Sequence, residues 1–168
     1  MKSLARALSE SIVSQRSQNP TRAHLHISLQ GDLGSGKTTA VRYLLKELGY
    51  TGKVKSPTYS LCETHLLQIN QHPIQLYHFD FYRMQSPSEW IEAGLQEHFA
   101  GHEPTICIVE WPEKAGNTLP IMDLSVGIKA SHQTDHSSEY ERLIAFHANT
   151  SIGQELLNNL VSKPITLN

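Results

Sequence analysis

The residues best suited to chemistry lie in one glycine-rich stretch. Positions 31–38 read Gly-Asp-Leu-Gly-Ser-Gly-Lys-Thr, which matches the pattern G-x-x-x-x-G-K-[ST]. The glycines permit a tight turn in which successive backbone N–H groups can point at phosphate oxygens. Lys37 can reach the outer phosphates of a nucleotide, and the Thr38 hydroxyl can join the coordination of Mg²⁺. The stretch therefore predicts a phosphate-binding loop.

The segments that flank this stretch are the ones that such a loop requires. The residues His24–Leu29 alternate between polar and apolar side chains, as a short strand does. Residues 39–48 carry apolar side chains at helical spacing, and Gly49 suits the end of a helix. A strand, a glycine loop and a helix in this order favour a functional phosphate site, to which the helix adds the positive end of its dipole.

The rest of the chain predicts a single α/β domain over residues 1–168. Its length of 168 residues and hydrophobic content of 39% fit one core of ordinary size. Apolar patterns predict strands over Gln75–Phe81, Thr105–Val109, Asp123–Lys129 and Tyr140–Phe146, and a turn-rich segment at 53–61 that leads into another strand. Helices are predicted near the N-terminus, at Ser88–Ile91 and Leu95–Phe99, and at Ile152–Val161, with a polar loop at 131–138. We expect three layers around a central mixed, largely parallel sheet, which is a P-loop NTPase fold.

Composition and charge exclude several other classes of protein. No apolar run approaches the roughly 18–20 residues of a membrane span, and residues 1–18 resemble an amphipathic helix rather than a signal peptide. We therefore expect a cytoplasmic protein without a membrane partner. The net charge of −2 and the lack of a basic stripe argue against autonomous binding of nucleic acid. Cys62 and Cys107 have apolar neighbours, which favours small buried side chains over a disulfide or a metal pair, and the ten histidines show no zinc-site spacing.

An acidic residue follows the most apolar predicted strand. Glu110 comes directly after four apolar residues, so it emerges at the carboxyl end of that strand, where α/β sheets bind their ligands. Enzymes with a phosphate loop use such a carboxylate to hold Mg²⁺ or its water. A solvated acid at a strand end is the alternative, and the phosphate loop favours the metal role.

Two further polar residues are candidates for the same site. Asp80 alternates with phenylalanines on a predicted strand, and an unpaired buried charge is costly. Its carboxylate must therefore face the site, water or a basic partner, for which Arg83 is available. Thr58 lies in a turn after a proline, and it is either an ordinary turn residue or a switch residue that meets Mg²⁺ and the γ-phosphate.

Five motifs in this order resemble a known family. They are Gly31–Thr39 (GDLGSGKTT), Lys55–Leu61 (KSPTYSL), His78–Arg83 (HFDFYR), Glu92–Leu95 (EAGL) and Val109–Glu113 (VEWPE). The series is similar to the bacterial TsaE family of P-loop ATPases, also called the YjeE family. The resemblance covers about residues 1–147, with a C-terminal helix and tail after it. It is specific, because general P-loop enzymes do not share the last four motifs in this order.

The resemblance implies a function in tRNA modification. Members of the family bind ATP and Mg²⁺ and work with the heterodimer of the TsaB and TsaD proteins. That heterodimer transfers a threonylcarbamoyl group to the adenosine beside the anticodon of tRNAs that read ANN codons. Hydrolysis of ATP by the family member supports turnover, and the tRNA is contacted only indirectly.

The resemblance also implies roles for individual residues. The nucleotide would be bound by the loop residues Asp32, Leu33, Gly34, Ser35, Gly36, Lys37, Thr38 and Thr39. Catalysis would involve Glu110, Asp80 and Lys37, the metal ligands would be Thr38 and Glu110, and Thr58 would belong to a switch segment. Trp111 would lie beside this chemistry.

Two departures from the family pattern concern the base of the nucleotide. Members usually begin with an extra strand before the first helix, which carries a segment near the adenine, whereas Met1 here falls almost at that helix. Many members also carry a Gly-Arg pair before the last strand, and residues 137–142 read Ser-Ser-Glu-Tyr-Glu-Arg instead. The sequence therefore leaves open how the adenine is held.

Two other functions compete with a partner-dependent ATPase. A small P-loop kinase usually has an arginine-bearing lid, but the basic residues between Glu113 and Ala148 are only Lys114, Lys129 and Arg142. A nucleotide-dependent binding module without hydrolysis is the other alternative. The presence of both Glu110 and Asp80 argues against that alternative.

Overall fold

The computed structural model describes residues 1–19, 24–100, 103–130 and 142–162. The helices are α1 (Lys2–Gln18), α2 (Lys37–Glu47), α3 (Glu89–Glu92) and α4 (Ser151–Val161). The strands are β1 (His24–Gln30), β2 (Cys62–Ile69), β3 (His72–Asp80), β4 (Thr105–Glu110), β5 (Leu124–Ala130) and β6 (Arg142–Ala148). Two 3₁₀ helices span Leu95–Phe99 and Pro112–Thr118.

The strands form one mixed sheet in the order β2-β3-β4-β1-β5-β6. Strands β3, β4, β1 and β5 are parallel, while β2 and β6 pair antiparallel at the two edges. This arrangement confirms the predicted fold class. All residues of β4 are buried, which explains its continuous apolar run, because a central parallel strand is covered on both faces.

Each face of the sheet has its own apolar core. Helices α1, α2 and α4 cover one face, where they pack on residues such as Leu25, Ile27 and Leu76. The opposite face carries an aromatic cluster that includes Phe79, Trp90 and Phe99, and it is covered by α3 and the 3₁₀ helices. The predicted three layers are therefore present, although short helices form the second helical layer.

The first antiparallel pair is a hairpin that the sequence only partly predicted. Asn70 and Gln71 join β2 to β3 with φ angles of 53° and 68°, as a two-residue hairpin turn requires. Strand β3 begins at His72, three residues before the predicted start at Gln75. Pro73 lies in this early part of β3. Strand β3 pairs with β4 only from Gln75 onward, so the missing N–H of Pro73 removes no hydrogen bond to β4.

Several other expectations can be compared with the structure. Cys62 is partly buried and Cys107 is buried, and both are free thiols. Burial raises the pKa of the Cys62 thiol to about 12. No helix among the described residues is both long enough and apolar enough to cross a bilayer. The predicted polar loop at 131–138 and the first residues of the predicted strand at 140–146 lie outside the described residues.

Candidate nucleotide-phosphate site

The glycine loop connects β1 to α2 through a strongly turned backbone. Gly31, Gly34 and Gly36 have φ angles of 141°, 80° and 105°, which glycine adopts much more readily than other residues. A Cβ atom on Gly31 would lie 2.1 Å from the carbonyl oxygen of Ile128. The loop therefore packs directly on β5, and only glycine fits at that contact.

Lys37 is the first residue of α2, and its side chain is buried against the loop. Its ammonium donates to the carbonyl oxygens of Gly31 at 2.7 Å and Asp32 at 3.0 Å. The same Nζ atom lies 3.8 Å from the ring centroid of Trp111, a cation–π contact. Desolvation lowers the pKa of Lys37, and the nearby carboxylate of Glu110 opposes this shift.

Glu110 joins three elements of the fold at the carboxyl end of β4. Its Oε2 atom accepts a hydrogen bond from the Thr38 hydroxyl at 2.9 Å. Its Oε1 atom lies 2.8 Å from Nε2 of His78. A hydroxyl that donates to a carboxylate keeps its lone pairs available for a cation. The residues Thr38 and Glu110, predicted as metal ligands, are thus in direct contact.

Asp80 ends β3 and lies opposite Glu110 in the strand register. Its Oδ2 atom accepts from the Thr58 hydroxyl at 2.5 Å, and its Oδ1 atom accepts from the Tyr82 backbone at 3.0 Å. Asp80 is therefore paired with Thr58 and does not depend on Arg83, the basic partner considered from the sequence. The turn after Pro57 brings Thr58 to the site.

Arg83 contacts Tyr59 instead. Its guanidinium carbon lies 4.2 Å from the ring centroid of Tyr59, and Nη2 donates to the tyrosine hydroxyl at 3.0 Å. Tyr59 is 83% exposed, so this pair stands at the rim of the site. Together with the Thr58–Asp80 bond, it links segment 56–60 to the turn at 80–83.

These groups surround a cleft of about 400 Å³. Its lining includes Leu33, Gly34, Gly36, Lys37, Thr38, Thr39, Thr58, Asp80 and Glu110, together with Ser56, Tyr82, Arg83 and Trp111. Two of the predicted loop residues are not part of this lining. Asp32 contributes its carbonyl to Lys37, and Ser35 is buried.

Sequence reasoning gave no role to two side chains near the cleft. His78 contacts Glu110, and its place two residues before Asp80 on a strand was the available signal, because such residues share a face.

Arg142, at the start of β6, donates from Nε to the carbonyl oxygen of Ser35 at 3.2 Å. An arginine therefore reaches the loop from β6 even though no glycine precedes it.

Trp111 closes one side of the cleft in an unusual conformation. Its φ angle of 58° is left-handed, which is rare for a bulky residue and is found most often at functional positions. Its ring lies 5.0 Å from that of Tyr82. The two rings form an aromatic wall beside the Lys37 ammonium.

A glycine loop between the first strand and the following helix, on a sheet with a parallel centre, defines an α/β protein of the P-loop NTPase fold. A model of the family described as "Threonylcarbamoyl adenosine biosynthesis protein TsaE" matches residues 1–142. The chain therefore belongs to the TsaE family.

Individual relatives support this assignment. The protein named tRNA threonylcarbamoyladenosine biosynthesis protein TsaE from Haemophilus influenzae is 36% identical over 138 residues, which cover 82% of this chain and 79% of the relative. Its namesake from Bacillus subtilis is 37% identical over 122 residues, covering 73% and 68%. The crystal structure of Bacillus subtilis YdiB superposes with a TM-score of 0.67 and 27% identity, covering 96% of this chain and 87% of that one.

Proposed function

We propose that this protein is a Mg²⁺-dependent ATPase that supports the threonylcarbamoyladenosine modification of tRNA. In this proposal it acts on the TsaB–TsaD heterodimer and contacts tRNA only indirectly. The pathway is supported by the family and by the printed names of the relatives. The observation that carries the ATPase proposal is the hydrogen bond from Thr38 to Glu110, which joins the end of the phosphate loop to a carboxylate.

The residues on both sides of the cleft fit Mg·ATP. The loop amides and Lys37 would hold the phosphates, and the oxygens of Thr38 and Glu110 would hold Mg²⁺. Hydroxyl and carboxylate oxygens are the donors that this hard cation prefers. When bound, Mg²⁺ would neutralise charge on the phosphate oxygens.

Asp80 is the residue that we assign to hydrolysis. It lies beside Glu110 and is fixed by the Thr58 hydroxyl and by a backbone N–H. Hydrolysis forms a bond between a water oxygen and the γ-phosphorus and breaks the bond between that phosphorus and the β–γ bridging oxygen, which leaves with ADP. The proton that the water loses passes to a phosphate oxygen or to solvent. A carboxylate in this position would accept a hydrogen bond from the attacking water and so orient it.

The isolated protein should hydrolyse ATP slowly. Arg83 is the only arginine in the described lining of the cleft, and it is held on Tyr59. A cation at the γ-phosphate can be supplied by a partner with a large effect on rate. We propose that segment 56–60 and the turn at 80–83 face the TsaB–TsaD heterodimer. Both border the cleft, and hydrogen bonds link them to each other.

The test is to measure phosphate release and complex affinity with purified TsaB and TsaD. The heterodimer should raise the rate of phosphate release, and its affinity for this protein should differ between ATP and ADP, because a nucleotide shifts an equilibrium only through differential binding. If neither changes, the assignment of the switch segment is wrong. Phosphorylated small-molecule products would instead favour a kinase, and nucleotide-dependent binding without phosphate release would favour a binding module.

A further inference from the structure

A fully buried imidazole lies directly beneath the carboxylates of the cleft. His78 is 0% exposed, and its Nε2 atom lies 2.8 Å from Oε1 of Glu110. Alternation along β3 puts His78 on the same face as Asp80, and the register pairs His78 with Ile108 and Asp80 with Glu110. The imidazole therefore reaches diagonally across the two strands to the side chain of Glu110, which lies two residues beyond Ile108.

The chemistry of the two groups fixes which of them donates this hydrogen bond. An ionised carboxylate can only accept, so the hydrogen lies on Nε2 of His78 and points at Glu110. The other ring nitrogen, Nδ1, has no partner among the described residues. Each oxygen of Glu110 thus receives one donor, His78 on Oε1 and Thr38 on Oε2. The last torsion of a glutamate is otherwise loosely constrained, so two donors on opposite oxygens set the plane of this carboxylate.

We propose that His78 is a positioning residue that fixes the Glu110 carboxylate for binding of Mg·ATP. This inference rests on the proposed ATPase function. Without the imidazole, Oε1 would be a buried acceptor without a donor among the described residues, and the carboxylate would turn toward other donors. The Thr38 hydroxyl would then lose the fixed partner that orients it. Hydrogen bonds of this kind, behind a metal-binding group, typically contribute about 10–100-fold to metal affinity or activity.

A second histidine separates this role from simple filling of the core. His65 on β2 is also buried, and the register pairs it with Leu76, which puts it in the same layer as His78. Neither of its ring nitrogens has a hydrogen-bond partner among the described residues, and its ring packs against Tyr50 at 4.8 Å. Loss of His65 therefore removes an equally buried imidazole without touching the Glu110 carboxylate.

The experiment compares nucleotide affinity with Mg²⁺ and with EDTA, using a fluorescent ATP analogue. We define the strengthening of binding by Mg²⁺ as the affinity in Mg²⁺ divided by the affinity in EDTA. This ratio should fall about tenfold or more in His78→Leu, while the affinity in EDTA stays the same because Lys37 and the loop are intact. His78→Gln should restore most of the strengthening, since its amide can reach Oε1. His65→Leu should keep the full strengthening even if it melts at a lower temperature. With TsaB and TsaD present, His78→Leu should raise KM for Mg·ATP and lower kcat, whereas His65→Leu should change neither.

Two outcomes would overturn this role. One is full strengthening by Mg²⁺ in His78→Leu, and the other is an equal loss in His65→Leu. If His78→Leu does not fold, His78→Asn replaces it, because the shorter amide falls short of Oε1 while His78→Gln reaches it. Equal behaviour of those two variants would also contradict the proposal. If the unaltered protein binds nucleotide identically with and without Mg²⁺, the ATPase proposal itself fails, and that result is distinct from a loss confined to the variants.

Discussion

The two walls of the cleft are built in different ways. One wall is the contiguous loop at 31–38, whose shape comes from glycine backbone conformations and from packing on β5. The other wall is assembled from Thr58, Asp80 and Glu110, which lie in three separate segments and are held by side-chain hydrogen bonds. The first wall depends on local backbone geometry, and the second depends on the register of β3 with β4.

This difference determines how each wall can fail. A change in the loop backbone alters every N–H group that the loop presents, whereas a change in the second wall removes one bond and leaves its neighbours in place. Lys37 is the link between the walls, because it starts at the loop and lies against Trp111 on the other side. The walls should therefore respond differently to substitution.

The largest effect should come from removing that link. Lys37→Ala should abolish productive ATP binding and leave the fold intact, because the phosphates lose their main cationic partner and charge-assisted hydrogen bonds contribute about 1.5–3 kcal/mol each. Nucleotide titration and circular dichroism measure the two parts. Lys46→Ala, exposed on the same helix, is the matched control. Unchanged ATP hydrolysis in Lys37→Ala would refute the site.

Substitution of glycines in the loop tests how strongly its backbone is constrained. Gly31→Ala should lower the free energy of unfolding by about 2–5 kcal/mol for two reasons. The added methyl group would clash with the carbonyl oxygen of Ile128, and the positive φ of residue 31 would strain an alanine. Gly34→Ala should cost only about 1–2 kcal/mol, since its φ is also positive but no atom of the described residues lies within 4 Å of the added Cβ. Urea denaturation of both variants checks the difference. Equal losses would show that the contact with β5 does not constrain the loop.

In the second wall, the main loss should be in the rate of hydrolysis at saturating Mg·ATP. Glu110→Gln should still bind Mg·ATP but hydrolyse it at least about tenfold more slowly, because the amide fills the space without the charge that organises metal and water. Phosphate release at saturating ATP measures this effect. Glu47→Gln, at the exposed end of α2, serves as the control. A variant that turns over at the original rate would remove Glu110 from the mechanism.

The smallest effect should come from pH acting on buried histidines of the sheet and of the 3₁₀ helix beside it. Burial lowers the pKa of His26, His65 and His98 from the usual 6.5, so the unfolded chain binds protons that the folded chain excludes. The free energy of unfolding should therefore level off well above pH 6.5 and fall as the pH drops through 6.5. Denaturation at pH 7.5 and 5.5 tests the sign, and His65→Leu should reduce the slope. Greater stability at the lower pH would contradict the assignment.

The loop wall was predictable because its information is local. A strand pattern, the glycine stretch and an amphipathic helix adjoin each other in the chain, and the structure has these elements within one or two residues of the predicted bounds. Glu110 and Asp80 could also be recognised from the sequence as candidate site residues. Glu110 follows an apolar strand pattern and was expected at a carboxyl end. Asp80 was expected within an alternating strand, facing the site, water or a basic partner. The structure ends β3 at Asp80, and the register brings it beside Glu110.

The contacts within the second wall were not predictable from the chain alone. The Thr58–Asp80 bond spans 22 positions, and the His78–Glu110 contact spans 32. Such pairs depend on which strands become neighbours and in which register, and apolar patterning does not specify either. The same reason explains why Arg83 could be considered as the partner of Asp80, since proximity in sequence suggested a pair that the fold did not form.

The cation–π contact in the cleft also has an optical consequence. The chain contains two tryptophans, and they lie in contrasting surroundings. Trp90 is buried in the aromatic cluster, whereas the indole of Trp111 has the Lys37 ammonium 3.8 Å from its ring centroid. A positive charge beside an indole alters its emission, so movement of that ammonium should change the fluorescence of Trp111 more than that of the buried Trp90. The protein thus carries its own fluorescent reporter of the phosphate loop, without a dye or a label.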